Sequence, residues 1–153
     1  MVDYTRWLSG LSNEYGRKVK QAAYSLAFRT GAIEGVTTQP VQLDPTTLES
    51  LIVNTARTYA NGLSRCGFVP PFAIAASLLQ AKGATIKLAS FPEEVRATDR
   101  DQYHFVESVL ESVPTSNSDC GKALALTLHH LASLSGKAES PWFDSDGNYM
   151  LTN

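Results

Sequence analysis

Cysteine is scarce: Cys66 and Cys120 are the only two in 153 residues. Two cannot build the disulfide framework of a small secreted scaffold, and neither sits in a zinc-type spacing. Both are expected as buried, reduced thiols. Histidine is nearly as scarce, with His104, His129 and His130 alone. Adjacent residues on a helix project about 100° apart, so His129 and His130 cannot easily share one ion, and no HxxxH pair exists. No metal site is expected. Basic excess is also absent. Thirteen Lys and Arg against fifteen Asp and Glu give a formal net charge of −2, which argues against a dedicated nucleic-acid binder. The longest strongly apolar stretch, 68–79, is too short to cross a bilayer and contains Pro70 and Pro71. No signal-peptide pattern opens the chain, because Asp3 and Arg6 interrupt residues 1–10. A cytoplasmic protein in a bacterial or phage setting, without membrane contact, is expected.

Catalytic motifs are missing too. There is no G-x-S-x-G nucleophile elbow. Gly31-Ala-Ile-Glu-Gly35 lacks the lysine and hydroxyl of a phosphate-binding loop. Asp144-Ser-Asp146-Gly147-Asn148 resembles a fragment of a calcium loop. With Gly147 at loop position six, positions one and twelve fall on Trp142 and Asn153, where carboxylates are required. A plain turn is expected there. Neither an enzyme nor a cofactor protein is indicated.

What the chain does contain is apolar material, 43% of its residues, enough for one core. A single domain over 1–153 is expected. The spacing of Val19, Ala22, Ala23 and Leu26 predicts a helix over 13–29, ended by Gly31. Asp44-Pro45 predicts a helix start, and Leu48, Leu51, Ile52, Thr55, Ala56, Tyr59 and Leu63 follow helical spacing up to Gly67. Residues 72–82 are apolar on nearly every face, which predicts a buried central helix. Ile86 and Leu88 alternate with Thr85 and Lys87, a short strand at most over 85–90. Further helices are predicted over 99–113, with Phe105, Val106, Val109, Leu110 and Val113 inward, and over 119–135, built on Leu124, Leu128, Leu131 and Leu134. The expected fold is therefore mainly α, a compact bundle of about five helices around a central apolar one. Leu51, Ile52, Phe72, Leu78, Leu79, Val106, Leu110, Leu128 and Leu131 should converge in one cluster. The tail aromatics Trp142, Phe143 and Tyr149 are expected to clamp the core.

One electrostatic feature remains. Arg17, Lys18, Lys20 and Arg29 would form a basic face on the first helix, which Arg57, Arg65 and Lys82 could extend toward phosphates. A solvated helix surface explains the same residues.

Two resemblances bear on function. Thr30-Gly-Ala-Ile-Glu34-Gly35 resembles the inhibitory S/T-x-x-x-E-G/N motif of Fic antitoxins. The resemblance implies that Glu34 would pair with the arginine of a Fic AMP-transferase and block productive ATP binding, with Thr30 and Gly35 completing the motif. The Fic catalytic motif itself is absent from the chain. The run 60–83, with the tail Ser140-Pro-Trp-Phe-Asp-Ser-Asp-Gly-Asn-Tyr149, is similar to the C-terminal region of bacterial proteins carrying an AlbA-type, Schlafen-like DNA-binding domain. That similarity spans about 48–149; separately, size and helix content alone match a small helical subunit of a nucleic-acid-associated complex, in a setting of bacterial defence. The reading preferred at this point is a non-enzymatic interaction or regulatory module that acts through a protein or nucleoprotein partner. An antitoxin-like inhibitor using Glu34 is the alternative.

Overall fold

A computed structural model describes residues 23–37, 42–88 and 91–151. They form two compact units, Met1–Pro40 and Val41–Asn153. The fold is mixed α and β, with three helices and nine short strands among the described residues. This corrects the expected mainly α bundle.

In the first unit, β1 (Ala23–Ala27) and β2 (Ile33–Thr37) make an antiparallel hairpin from Ala27↔Ile33 to Ala23↔Thr37. Phe28 N–H donates to the Ala32 carbonyl (2.8 Å) and Gly31 N–H to the Phe28 carbonyl (3.0 Å). Gly31 has φ 86°, a left-handed conformation that glycine adopts without strain. The helix predicted over 13–29 is thus a strand and turn over 23–29, and its earlier part lies outside the described residues. Tyr24, Leu26 and Phe28 alternate with Ser25 and Ala27, a period of two hidden by helix-favouring alanines.

The second unit begins with β3 (Gln42–Leu43) and α1 (Pro45–Arg65). Asp44 caps α1, accepting from Thr46 N–H at 3.1 Å, with Pro45 in the first turn. At the other end Gly67 has φ 88°. Its N–H bonds the Ser64 carbonyl and the Phe68 N–H bonds the Leu63 carbonyl, both at 3.0 Å, a glycine-terminated end as predicted. The buried face is Leu48, Glu49, Val53, Ala56 and Ala60, with Ile52 and Leu63 half-buried.

Residues 72–88 and 91–110 form one long, interrupted antiparallel ribbon. β4 (Phe72–Ile74) pairs with β9 (Ser108–Leu110), and β5 (Ser77–Leu79) with β8 (Gln102–His104). Further out, β6 (Thr85–Leu88) pairs with β7 (Phe91–Ala97) and, in parallel, with β3. Between Ile74↔Ser108 and Ser77↔His104 two residues face three, so the strand carrying 105–107 is bulged. Both helices predicted over this region are replaced by strands. Phe72, Ile74, Ala76 and Leu78 turn inward while Ala73, Ala75, Ser77 and Leu79 are exposed. Alanine and serine on the outer positions made this period-two run look apolar all round. On the other strand the bulge sets buried Phe105 and buried Ser108 three residues apart, which imitates helical spacing.

The last predicted helix is present as two, α2 (Asn117–Ala123) and α3 (Ala125–Ser133), separated at Leu124. A capping box starts α2. Asp119 N–H donates to Ser116 Oγ at 3.0 Å, and Ser116 N–H donates to Asp119 Oδ2 at 3.1 Å. α3 lies against the bulge and satisfies it. Thr127 Oγ1 donates to the Val106 carbonyl (2.6 Å) and shares a hydrogen bond with Ser108 Oγ (2.8 Å), while Val106 N–H donates to His130 Nδ1 (3.2 Å). Thr127→Val should strand two of these buried polar partners and lower stability by about 1–2 kcal/mol. An unchanged urea midpoint would show that the bulge is not held by α3.

The core is two clusters, not one. Val53, Ala56, Ala60, Phe72, Leu110, Cys120, Leu124, Leu128 and Tyr149 form the first; Leu43, Leu48, Ile86, Phe105 and Leu131 form the second; Ile52 packs against both. Leu79 and Val106, expected inside, are 59% and 46% exposed. The tail is built around Tyr149, buried in the first cluster, with Trp142 and Phe143 packed beside it. Gly147 (φ 75°) turns the chain back so that Phe143 bridges Tyr149.

Candidate functional site

The inner face of the ribbon is used for packing and the outer face is not. On the outer face Ala73 pairs with Val109, Ser77 with His104 and Leu79 with Gln102. On this face Leu79 is 59% exposed and Val109 47%, which leaves apolar surface on both strands. Ser77 Oγ and His104 Nδ1, 2.9 Å apart, form a polar centre between them. Glu107, in the bulge, and Glu111, just past β9, are exposed, so this flank is acidic. Single exposed apolar residues need no explanation, but apolar residues aligned on one sheet face mark an interaction surface.

The most perturbed chemistry lies inside. Glu49 on α1 is 1% exposed, and loss of water pushes its carboxyl from 4.5 to about 7, against the opposing pull of the Ser140 hydrogen bond. Ser140 Oγ donates to Glu49 Oε2 at 2.7 Å, Ser140 N–H donates to His129 Nδ1 at 3.0 Å, and Trp142 N–H donates to Ser140 Oγ at 3.3 Å. The rings of His129 and Phe143 lie 4.7 Å apart between centroids, tilted by 57°. A serine, a histidine and a carboxylate in one place invite a hydrolytic reading, which the geometry rejects. The imidazole holds the serine's backbone rather than its hydroxyl, so it cannot take the hydroxyl proton, and Ser140 is buried. The network ties the segment after α3 to α1. Burial likewise pushes the Cys120 thiol up to about 11, while the Arg57 charge pulls the other way.

One shallow cavity, about 190 Å³, is lined by Ile86, Thr98, Asp99, Arg100, Tyr103 and Leu134, among others. Two of its polar groups engage each other, Tyr103 Oη donating to Asp99 Oδ1 at 2.9 Å. No nucleophile and base meet there.

The sequence-predicted residues scatter. Thr30 lies in the hairpin turn, and Glu34 and Gly35 lie exposed in β2, with Glu34 opposite Leu26. The helical context expected for that motif is therefore absent. Arg29 is exposed in the same turn, while Arg17, Lys18 and Lys20 lie outside the described residues. Arg57 is held between helices, its Nη1 donating to Asn117 Oδ1 at 2.8 Å. Arg65 ends α1 and Lys82 sits in the turn before β6, so these three do not share one element. All three histidines have partners: His104 on Ser77, His129 on Ser140 and His130 on Val106. Cys120 is buried as expected, but Cys66 is exposed. Asp144 folds the tail turn by accepting from Asp146 N–H (3.0 Å) and Asn148 N–H (2.8 Å). These bonds, with the Asn148 side chain, hold the Asp144 carboxyl below the usual range. Among the described residues no three His, Cys, Asp or Glu are grouped to hold a metal ion, and no helix is long and apolar enough to cross a membrane.

The chain matches no protein-family model, no curated protein and no solved structure. Sequence reasoning missed both Glu49 and the outer face of the ribbon. The period-two burial of 72–79 was the signal that could have found the face.

Proposed function

We propose that this protein is a non-enzymatic interaction module that presents the outer face of its ribbon to a protein partner. The observation that carries this reading is the exposure of Leu79 and Val109 on the same outer face as the Ser77–His104 pair. The acidic flank at Glu107 and Glu111 favours a protein surface over a phosphate backbone, which needs positive charge. Polar atoms buried at Glu49, Ser140 and His129 serve packing, and among the described residues no nucleophile and base meet in an open pocket.

Affinity capture from the native host tests the reading with three baits: the unaltered chain, Val109→Lys and Glu34→Gly. A partner held by the unaltered chain should be kept by Glu34→Gly and lost by Val109→Lys, with both variants folded by circular dichroism. A Fic enzyme lost on Glu34→Gly and kept by Val109→Lys would overturn this reading in favour of the inhibitor.

A further inference from the structure

The two edges of the ribbon are treated differently. Along β8 and β9 the edge is occupied at the bulge, because His130 and Thr127 of α3 take the Val106 N–H and carbonyl. Along the other strand, β3 occupies the edge at Thr85–Ile86. Beside β4 and β5 no further strand lies among the described residues, since each belongs to a two-stranded sheet. Phe105 N–H donates to the Ala76 carbonyl, so Ala76 turns its backbone toward β8. In an extended strand the next residues turn theirs the opposite way. Ala75, Ser77 and Leu79 thus offer N–H and C=O groups on an open edge.

Unpaired edges are normally defended by charge, proline or a cover. Past Pro70 and Pro71, which precede β4, this one carries no such defence among the described residues. From Gly67 to Ala81 the sequence holds no charged residue. We propose that a second copy of this chain pairs with the open edge, antiparallel, about a two-fold axis at Ala76, giving a homodimer with a continuous four-stranded sheet. This concerns the edge rather than the outer face and stands independently of the partner reading above.

The register follows from the faces. Residues opposite each other in an antiparallel pair share a face. A two-fold at Ala76 sets Ala75 opposite Ser77 and Ala73 opposite Leu79 on the outer face, and Ile74 opposite Leu78 on the inner. It also matches the residues whose backbone groups point outward. A shift of one position would set inner Phe72 against outer Leu79 and fail on both counts. Charge selects the occupant. No like charges meet at the uncharged edge, and pairing moves Asp101, Glu107 and Glu111 to the outer strands of the new sheet. There the edge is already held by α3 and acidic, so association closes at two copies rather than growing into a fibre.

Sedimentation equilibrium on the full chain tests the proposal, across roughly 1–100 μM to span ordinary dimer affinities. The expected mass rises to twice that of one chain, and backbone amides of Ala75, Ser77 and Leu79 gain hydrogen-exchange protection with it. Ala75→Lys brings two ammonium groups together near the axis and should leave a folded monomer with those amides unprotected. Ala75→Pro removes one outward donor and should weaken association at least tenfold. A chain monomeric throughout, a dimer protected at other residues, or a dimer undiminished by Ala75→Lys would each overturn the proposal. Because Val109→Lys lies on the face and away from this edge, loss of partner binding without loss of the dimer separates the two readings.

Discussion

Tyr149→Ala is expected to lower the stability of the second unit by about 3–5 kcal/mol, the range for truncating a fully buried aromatic. Tyr149 is 2% exposed, lies in the first core cluster with Cys120, Leu124 and Leu128, and touches the ring of Phe143 at 5.3 Å between centroids. It also explains a glycine inside a helix. A Cβ on Gly121 would lie 2.2 Å from both Cγ and Cδ1 of Tyr149 and 2.8 Å from its Cβ. None of these atoms is the far end of a flexible chain, so α2 and the tail must separate to admit a methyl group. Gly121→Ala should therefore destabilise by about 1–3 kcal/mol, as overpacking does, although alanine is the better helix former. In the Tyr149→Ala background the same change should cost much less, because the ring is gone and only the close approach to the Cβ of residue 149 remains. A double-mutant cycle from urea unfolding reads the coupling directly. Additive effects of the two substitutions would show that the tail does not sit on α2 as described.

The part of the fold legible in the sequence was the part whose pattern admits one period. α1 has an Asp-Pro start, a glycine end and a strong apolar stripe, and it formed where expected. The strand at Thr85–Leu88 alternates Thr and Lys with Ile and Leu, and it formed too. The ribbon was not legible because its outer positions are filled by alanine and serine, residues compatible with either period. Its second strand was obscured by the bulge, where one extra residue shifts the phase. The interaction face was lost with it: Leu79, Val106 and Val109 were counted as core because a helix would have turned them inward. Glu49 was missed for a different reason. A glutamate beside an apolar stripe reads as a boundary residue, and nothing local announces that Ser140, far along the chain, will meet it.

Glu49 should also make the stability of this protein fall as the solution becomes more alkaline. In the unfolded chain its carboxyl loses a proton near 4.5, whereas in the fold it keeps that proton to about 7. Between these values the folded state binds the extra proton, so stability declines through this window and levels off above it. Below about 4.5 both states are protonated and the contribution is fully present. The change is on the order of 2–3 kcal/mol for a shift of this size. The groups around the carboxyl support the assignment. Ser140 cannot titrate, the Tyr149 phenol is raised further by burial and by the charges of Glu49 and Cys120, and the Cys120 thiol is pushed up to about 11. None of them titrates in this window. Glu49→Gln keeps a neutral acceptor for the Ser140 hydroxyl and removes the titration. At pH 5 the variant and the unaltered chain should be nearly equal in stability; at pH 8.5 the variant should be more stable by about 2–3 kcal/mol. Parallel stability curves from pH 5 to 8.5 would show that the Glu49 carboxyl is not confined by burial, and the tie between α1 and the tail would have to be redrawn.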